Sequence, residues 1–325
     1  MHFPCGDDFA EVLAIWFRRA RSHPLSISMS LCGLSSSWNH RVSDVLWRHG
    51  GQLKHLEILD DNDDDDDLIG DESQIVDLFG DTTSVSLPLL ETLTIRCQHR
   101  REYRASQILQ LLRAAPNIVE FSSNRVWTRT NPQPENLVVP TLRRVIFGET
   151  STGDDEIFLY LSLPALEALS LPLRYITGDE LLACVKRSAA PLQDLALGWE
   201  FGVLESAQLH DCLRLIPTLT KFTMWWPSSV VVTELFAALA ESPSLLSALH
   251  DLTIHIRNTA RRPSDISDSS WRTLVRALSY RRMEHLYIVP VEGSPPRDVL
   301  TSLLELVANG GKVHVGTEEL NFVVA

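Results

Sequence analysis

Hydrophobic positions recur along the chain as a short triplet. Each triplet has an apolar residue, a second one three positions later and a third one two positions after that, as in Leu53, Leu56 and Ile58. Nine triplets begin at Leu53, Leu90, Ile118, Leu142, Leu166, Leu192, Leu219, Leu249 and Met283, and the last position is polar once, at Ser123. Successive starts lie 24 to 37 residues apart. A period in this range is typical of a leucine-rich repeat, a solenoid with one strand per coil.

Within a triplet, apolar and polar residues alternate as they do in a β-strand. Between triplets, apolar residues recur at the three- and four-residue spacing of an amphipathic helix. A proline stands two residues before the first triplet position at Pro88, Pro116, Pro140, Pro164 and Pro217, where it ends a helix and favours extended chain. Such strand–helix–strand units favour parallel strands joined by right-handed crossovers. We therefore predict an α/β fold, a right-handed leucine-rich-repeat solenoid of about ten to eleven coils with a curved parallel sheet inside and helices outside.

The prediction treats residues 1–325 as one such array. Residues 1–50 are expected to form an N-terminal cap of helices and a first strand, and residues 297–325 a C-terminal cap. Two insertions break the period. The first, residues 60–73, is acidic and expected to be disordered, and the second, residues 257–270, is a loop rich in Ser, Pro, Arg and Asp.

Helical and strand patterns are also clear at the two ends of the chain. Apolar residues at helical spacing predict helices over about Asp8–Arg21 and about Trp38–His49. Alternation from Leu25 predicts a strand between them, and Val313 with Val315 predicts the last strand.

Charge narrows the classes of partner. The net charge is −13, from 29 basic and 42 acidic residues. Nine of the acids lie between Asp60 and Glu72, and without them the net charge would be about −4. Binding to a phosphate backbone needs a basic stripe. The sequence has none, so we expect no nucleic acid partner.

Cysteine usage and hydropathy favour an intracellular compartment. The five cysteines are scattered and odd in number, which suits thiols in a reducing environment. No stretch approaches the ~18 apolar residues of a membrane span, and the N-terminus lacks the pattern of a secretory signal. We expect an intracellular protein, cytoplasmic and/or nuclear, without a membrane partner.

Motifs for catalysis or metal binding are missing from the sequence. The aspartate run lacks the glycine and the alternating oxygen positions of a calcium loop. Gly310, Gly311 and Lys312 lack the rest of a phosphate loop. The sequence also contains no Gly-x-Ser-x-Gly and no His-Glu-x-x-His. We predict a protein that is not an enzyme and that has no cofactor and no metal. A hydrolase with catalytic residues far apart in sequence remains an alternative.

Aromatic residues give the best indication of a binding site. Trp199 and Trp226 both follow the first position of their triplet by seven residues, and Trp225 follows by six. Equivalent positions on paired strands lie about 5 Å apart, so Trp199 and Trp226 should be neighbours where the strands end. We predict that Trp199, Trp225, Trp226, His255 and Tyr287 bind a protein partner on the concave face or on this rim. The alternative is that the tryptophans only pack the rim.

Three stretches carry a family resemblance. They are residues 15–28 (IWFRRARSHPLSIS), residues 87–95 (LPLLETLTI) and residues 163–169 (LPALEAL). The chain resembles the leucine-rich region of fungal F-box proteins of the mushroom type over nearly its whole length. The resemblance implies a substrate receptor of a cullin-type ubiquitin ligase.

The F-box of that family, roughly forty residues with a Leu-Pro-x-Glu-like start, precedes this region, and Met1 to Ala14 is too short to hold it. Docking to a Skp-type adaptor is therefore expected only if an F-box exists upstream. The alternative function is a regulatory leucine-rich-repeat protein acting on a GTPase or another enzyme, with Arg261 or Arg262 as the active arginine.

Overall fold

The computed structural model describes residues 7–30, 40–60, 75–80, 82, 84–97, 102–124, 126–129, 135–148, 155–199, 205–257 and 266–323. The predicted acidic insertion, apart from Asp60, lies outside these residues, and so does the middle of the predicted insertion at 257–270. The chain divides into two compact units. The N-terminal unit contains Met1–Gly148 and Thr152–Leu166, and the C-terminal unit contains Glu149–Ser151 and Glu167–Ala325.

Eight α-helices and sixteen strands lie in the described part of the chain. The helices are α1 (Asp7–Ala20), α2 (His40–Arg48), α3 (Ala105–Ala114), α4 (Gly178–Ser188), α5 (Ser206–Arg214), α6 (Ser229–Glu241), α7 (Asp268–Leu278) and α8 (Arg297–Ala308), with 3-10 turns at Gly50–Gln52 and Glu156–Tyr160. The strands are β1 (Leu25–Ser30), β2 (Leu53–Asp60), β3 (Ile75–Val76), β4 (Thr92–Cys97), β5 (Glu102–Arg104), β6 (Glu120–Asn124), β7 (Trp127–Arg129), β8 (Leu137–Val138), β9 (Arg144–Ile146), β10 (Leu161–Ser162), β11 (Ala168–Leu171), β12 (Asp194–Gly198), β13 (Lys221–Trp225), β14 (Asp251–His255), β15 (His285–Val289) and β16 (Lys312–Val315).

Strand β1 and the triplet strands β2, β4, β6 and β9 follow one another in the sheet of the N-terminal unit. Their pairing is parallel, and Leu56, Leu93, Phe121 and Val145, the middle residues of successive triplets, are register partners. Shorter parallel groups, β3–β5–β7 and β8–β10, belong to the same unit.

The C-terminal unit repeats this arrangement with more regular spacing. Strands β11 to β16 follow one another in chain order and pair in parallel. Helices α4 to α8 connect them or lie between them in sequence. The predicted α/β fold with parallel strands is therefore confirmed for both units.

The core is built from the triplets. Every triplet residue is buried, and none exceeds the 7% exposure of Met283. Ser123, the single polar member, is 2% exposed. In the N-terminal unit the Phe147 ring makes edge contacts with Phe121 and Phe158, at centroid distances of 6.0 and 6.3 Å. The pattern that predicts the strands thus also predicts the apolar interior of each unit.

Side-chain caps set the starts of several helices. The Thr177 hydroxyl accepts a hydrogen bond from the Glu180 amide, and the Glu180 carboxylate accepts one from the Thr177 amide at 2.8 Å, which completes a capping box for α4. Ser267 caps α7 in the same position, so this helix begins at Asp268, inside the range predicted as a loop. The observed α1 ends one residue earlier than predicted, at Ala20.

The last strand is bordered by the chain that follows it. Beyond β16 the chain turns, and Gly316 forms an antiparallel bridge with Asn321. The Asn321 side chain accepts a hydrogen bond from the Val315 amide at 3.0 Å and donates one to the Val313 carbonyl at 2.9 Å. These bonds satisfy backbone groups of β16 that no following strand takes up.

No helix among the residues described here is both long enough and apolar enough to cross a membrane.

Candidate protein-binding surface

Strand alternation in the C-terminal unit separates a buried face from an open one. In β14, Leu252 and Ile254 are buried, whereas Asp251, Thr253 and His255 are only partly covered. We call the surface that carries Asp251, Thr253 and His255, together with their register partners on β11 to β16, the open face. The register follows the predicted one, because Thr253 lies between Thr223 and Tyr287, and Asp251 between Lys221 and His285.

Four rings from four consecutive strands lie side by side on the open face. Trp225 of β13 stacks on His255 of β14, with centroids 3.9 Å apart and planes within 7°. His255 lies 5.5 Å from Tyr287 of β15, and Tyr287 lies 4.8 Å from His314 of β16. We call Trp225, His255, Tyr287 and His314 the aromatic row. All four are partly covered, so the row is a surface feature and not part of the interior.

Burial favours the uncharged form of His255 in the aromatic row. Burial lowers the pKa of His255, and the negative charge of Glu318 opposes this shift only in part. The indole Nε1 of Trp225 is buried and has no hydrogen-bond partner. The row is therefore a mainly apolar strip that contains one unsatisfied donor.

Charged groups on the open face are largely paired. Lys221 lies 3.3 Å from Asp194, and His285 lies 3.3 Å from Asp251. Pairs of this exposure contribute about 0–1 kcal/mol each, so they matter more for recognition than for stability. Asp194, Lys221 and Asp251 thus form a line of alternating charge across three neighbouring strands. Lys221 and Asp251 lie four residues, about 13 Å, along their strands from Trp225 and His255, whereas His285 lies only two residues from Tyr287.

The corresponding face of the N-terminal unit is different. Glu57 lies 3.7 Å from Arg96, and Glu120 lies 3.9 Å from Arg144. Among the residues of this face that the structure describes, no comparable row of stacked rings is present. The aromatic row therefore makes the C-terminal unit the better candidate for a contact surface.

Comparison with known proteins adds no identification. No protein-family model matches the chain, and no curated protein is significantly similar to it. The resemblance to fungal F-box proteins therefore stays a prediction.

The structure brings three of the five predicted contact residues together, namely Trp225, His255 and Tyr287. Trp199 follows β12, and its amide donates to the Trp225 carbonyl at 2.8 Å. Its side chain is only 4% exposed, which favours the packing alternative for this tryptophan. Trp226 follows β13 with a φ of 58°, so the chain leaves the strand direction there and Trp226 stands outside the aromatic row.

His314 is a member of the row that the sequence reasoning missed. The signal was available, because Val313 and Val315 predict the last strand with inward side chains, which leaves His314 on the opposite face. It is the register partner of Tyr287.

The described residues also bear on metal binding and on thiol chemistry. No group of three or more His, Cys, Asp or Glu side chains there is arranged to hold a metal ion. Cys184 and Cys212 are buried free thiols, and burial raises the pKa of Cys212 to about 12, so its reactive thiolate is suppressed. Arg261 and Arg262, the arginines of the regulatory alternative, lie outside the described residues.

Proposed function

We propose that the chain is a non-catalytic scaffold of the leucine-rich-repeat type that binds a protein partner on the open face of its C-terminal unit. The aromatic row is the observation that carries this proposal. Trp and Tyr are enriched among the residues that dominate protein–protein binding energy. A parallel sheet with a buried opposite face holds them in place, so little side-chain entropy is lost on binding.

The repeat type is supported by the triplets. Their period, their complete burial and their in-register middle residues are the features expected when each coil buries its apolar face only against its neighbours. Within this fold, we assign Trp225, His255 and Tyr287 as the main contacts, with His314 beside them and Trp226 next to them in the chain. The paired charges of the open face would then set the orientation of the partner.

The test is a comparison of two sets of substitutions on the same unit. The face variant is Trp225→Ala/His255→Ala/Tyr287→Ala. The control variant is Tyr175→Ala/Tyr280→Ala, which removes aromatic side chains that are 42% and 61% exposed and lie outside the aromatic row. Proteins captured by the wild type and by the control, but lost with the face variant, are purified and titrated directly against all three chains.

We expect the purified partner to bind the wild type and the control with the same affinity, and the face variant about 100-fold more weakly, since two to three hot-spot contacts of about 1–2 kcal/mol each are lost. Equal affinity for all three chains would show that the aromatic row is not the contact surface.

The resemblance of residues 15–28, 87–95 and 163–169 supports a more specific role as the substrate-recognition region of an F-box receptor. Copurification of a Skp-type adaptor and a cullin with the natural full-length product would test this role. If neither associates with it while the partner still binds to the open face, the chain acts as a scaffold without delivery to the ligase.

A further inference from the structure

A cavity lies at the start of the last two strands of the C-terminal unit, β15 and β16. The turn before β15 and the turn before β16 border this open cavity, which has a volume of about 720 Å³. Its lining includes Arg281, Arg282, Glu284, His285 and Lys312. Cavities that hold small molecules usually have volumes of about 300–1,000 Å³. This one is thus large enough for a ligand, and the charged side chains of its lining are mostly basic although the whole chain is strongly acidic.

Arg281 is the unusual member of this lining. Its side chain is 7% exposed, and its guanidinium donates to the carbonyl oxygens of Ala277 at 2.6 Å, Leu245 at 2.7 Å and Ser242 at 3.2 Å. These are neutral acceptors, and the buried Nε has no partner at all. No carboxylate of the described residues forms an ion pair with Arg281. The Ala277 carbonyl, in the last turn of α7, supplies only part of a negative charge, so no full counter-charge balances the buried guanidinium.

The remaining charges of the cavity do not supply that counter-ion. Arg282 and Lys312 are exposed and make no ion pair with the described part of the chain. Glu284 is the one acid in the lining, and His285 is already occupied by Asp251. Counting Arg281, Arg282 and Lys312 against Glu284, the lining has a net charge of +2.

We propose that this cavity is a binding site for a small molecule that carries a phosphate group. A phosphate dianion matches the excess positive charge of the lining. The Arg282 guanidinium offers forked donors to phosphate oxygens, and the Lys312 ammonium offers a mobile point charge. The positive charge of Arg281, which also lines the cavity, adds to this attraction. Since the cavity is larger than one phosphate, the ligand carries further atoms or a second phosphate group.

The cavity lies where β15 and β16 begin, and His285 and Lys312 of its lining are two residues from Tyr287 and His314 of the aromatic row. Phosphate binding needs no protein partner, so it is tested on the isolated chain. The full chain is titrated calorimetrically with orthophosphate and with pyrophosphate, at constant ionic strength set with sodium chloride. Saturable binding of either anion to one site per chain is expected, together with a rise in melting temperature that follows the anion concentration.

The cavity variant is Arg282→Gln/Lys312→Gln, which changes two exposed side chains and leaves the structural bonds of Arg281 in place. The matched control is Arg276→Gln/Arg297→Gln, which removes the same charge from exposed positions of α7 and α8. We expect about 100-fold weaker binding to the cavity variant, about tenfold for each charge-assisted contact, and unchanged binding to the control. Absence of saturable binding with both anions, or the same affinity in cavity and control variants, would overturn the assignment.

Discussion

Substitution by alanine should destabilise the protein much more at Trp199 than at Trp225. Trp199 is 4% exposed. Removal of a buried aromatic side chain lowers the free energy of unfolding by about 3–5 kcal/mol, because its contacts are lost and a cavity is left behind. Trp225 is partly exposed, and its main loss would be the stack on His255 and partial burial, together about 1–2 kcal/mol. Trp199→Ala should therefore destabilise the C-terminal unit, whereas Trp225→Ala should leave it folded and affect binding.

Urea unfolding followed by far-ultraviolet circular dichroism measures this difference. With a slope of about 2 kcal/mol per molar urea, the midpoint of Trp199→Ala should fall by about 1.5–2.5 M, and that of Trp225→Ala by less than about 1 M. A midpoint of Trp199→Ala within about 0.3 M of the wild type, or an equally large fall for Trp225→Ala, would contradict the different burial of the two side chains.

Three further predictions concern single elements of the fold. Thr177→Ala should lower the free energy of unfolding by about 1 kcal/mol, because the capping box of α4 is lost. Thr177→Ser keeps the hydroxyl and should keep the stability of the wild type. Equal chemical-denaturation midpoints for the two variants would contradict the cap. Cys184 and Cys212 should stay unmodified by iodoacetamide in the native protein and react after unfolding, as peptide mass mapping would show. The pKa of His255 is lowered in the folded protein from its ordinary 6.5. Neutral His255 therefore contributes its full share to the free energy of unfolding above pH 6.5, and this contribution is lost as the pH falls through the folded pKa. The melting temperature should therefore drop between about pH 7 and pH 5, and by less in His255→Gln; identical pH profiles would contradict this role.

Much of the fold could be predicted because the triplet pattern determines strand position, side-chain direction and strand register together. The triplet spacing defines where a strand lies, which of its side chains face inward, and which residues become register partners on the next strand, as for Phe222, Leu252 and Leu286. Proline before the triplet marks the boundary between helix and strand. The start of α7 is predicted less well, because Ser267 caps it inside the range predicted as a loop.

The candidate sites depend on relations that sequence spacing does not contain. Trp199 and Trp225 come at nearly the same distance from their triplets, yet one is buried and the other stacks on His255. The φ of Trp226 separates it from its neighbour, and a non-glycine residue in this region cannot be foreseen from residue type. The carbonyl partners of Arg281 come from the end of α7 and from the segment after α6, as far as 39 residues away in the chain. No periodic pattern could therefore single out this arginine.

The side-chain bonds of Asn321 bear on how the protein behaves at high concentration. An unpaired strand at the border of a sheet is a template to which a second molecule can add its own strand, which leads to aggregation. A strand added to β16 would need to pair with the Val315 amide and the Val313 carbonyl. Both groups are already hydrogen-bonded to the Asn321 side chain of the same chain. The segment after β16 thus caps the edge of the sheet, which leaves fewer free backbone groups for a strand of a second molecule to pair with.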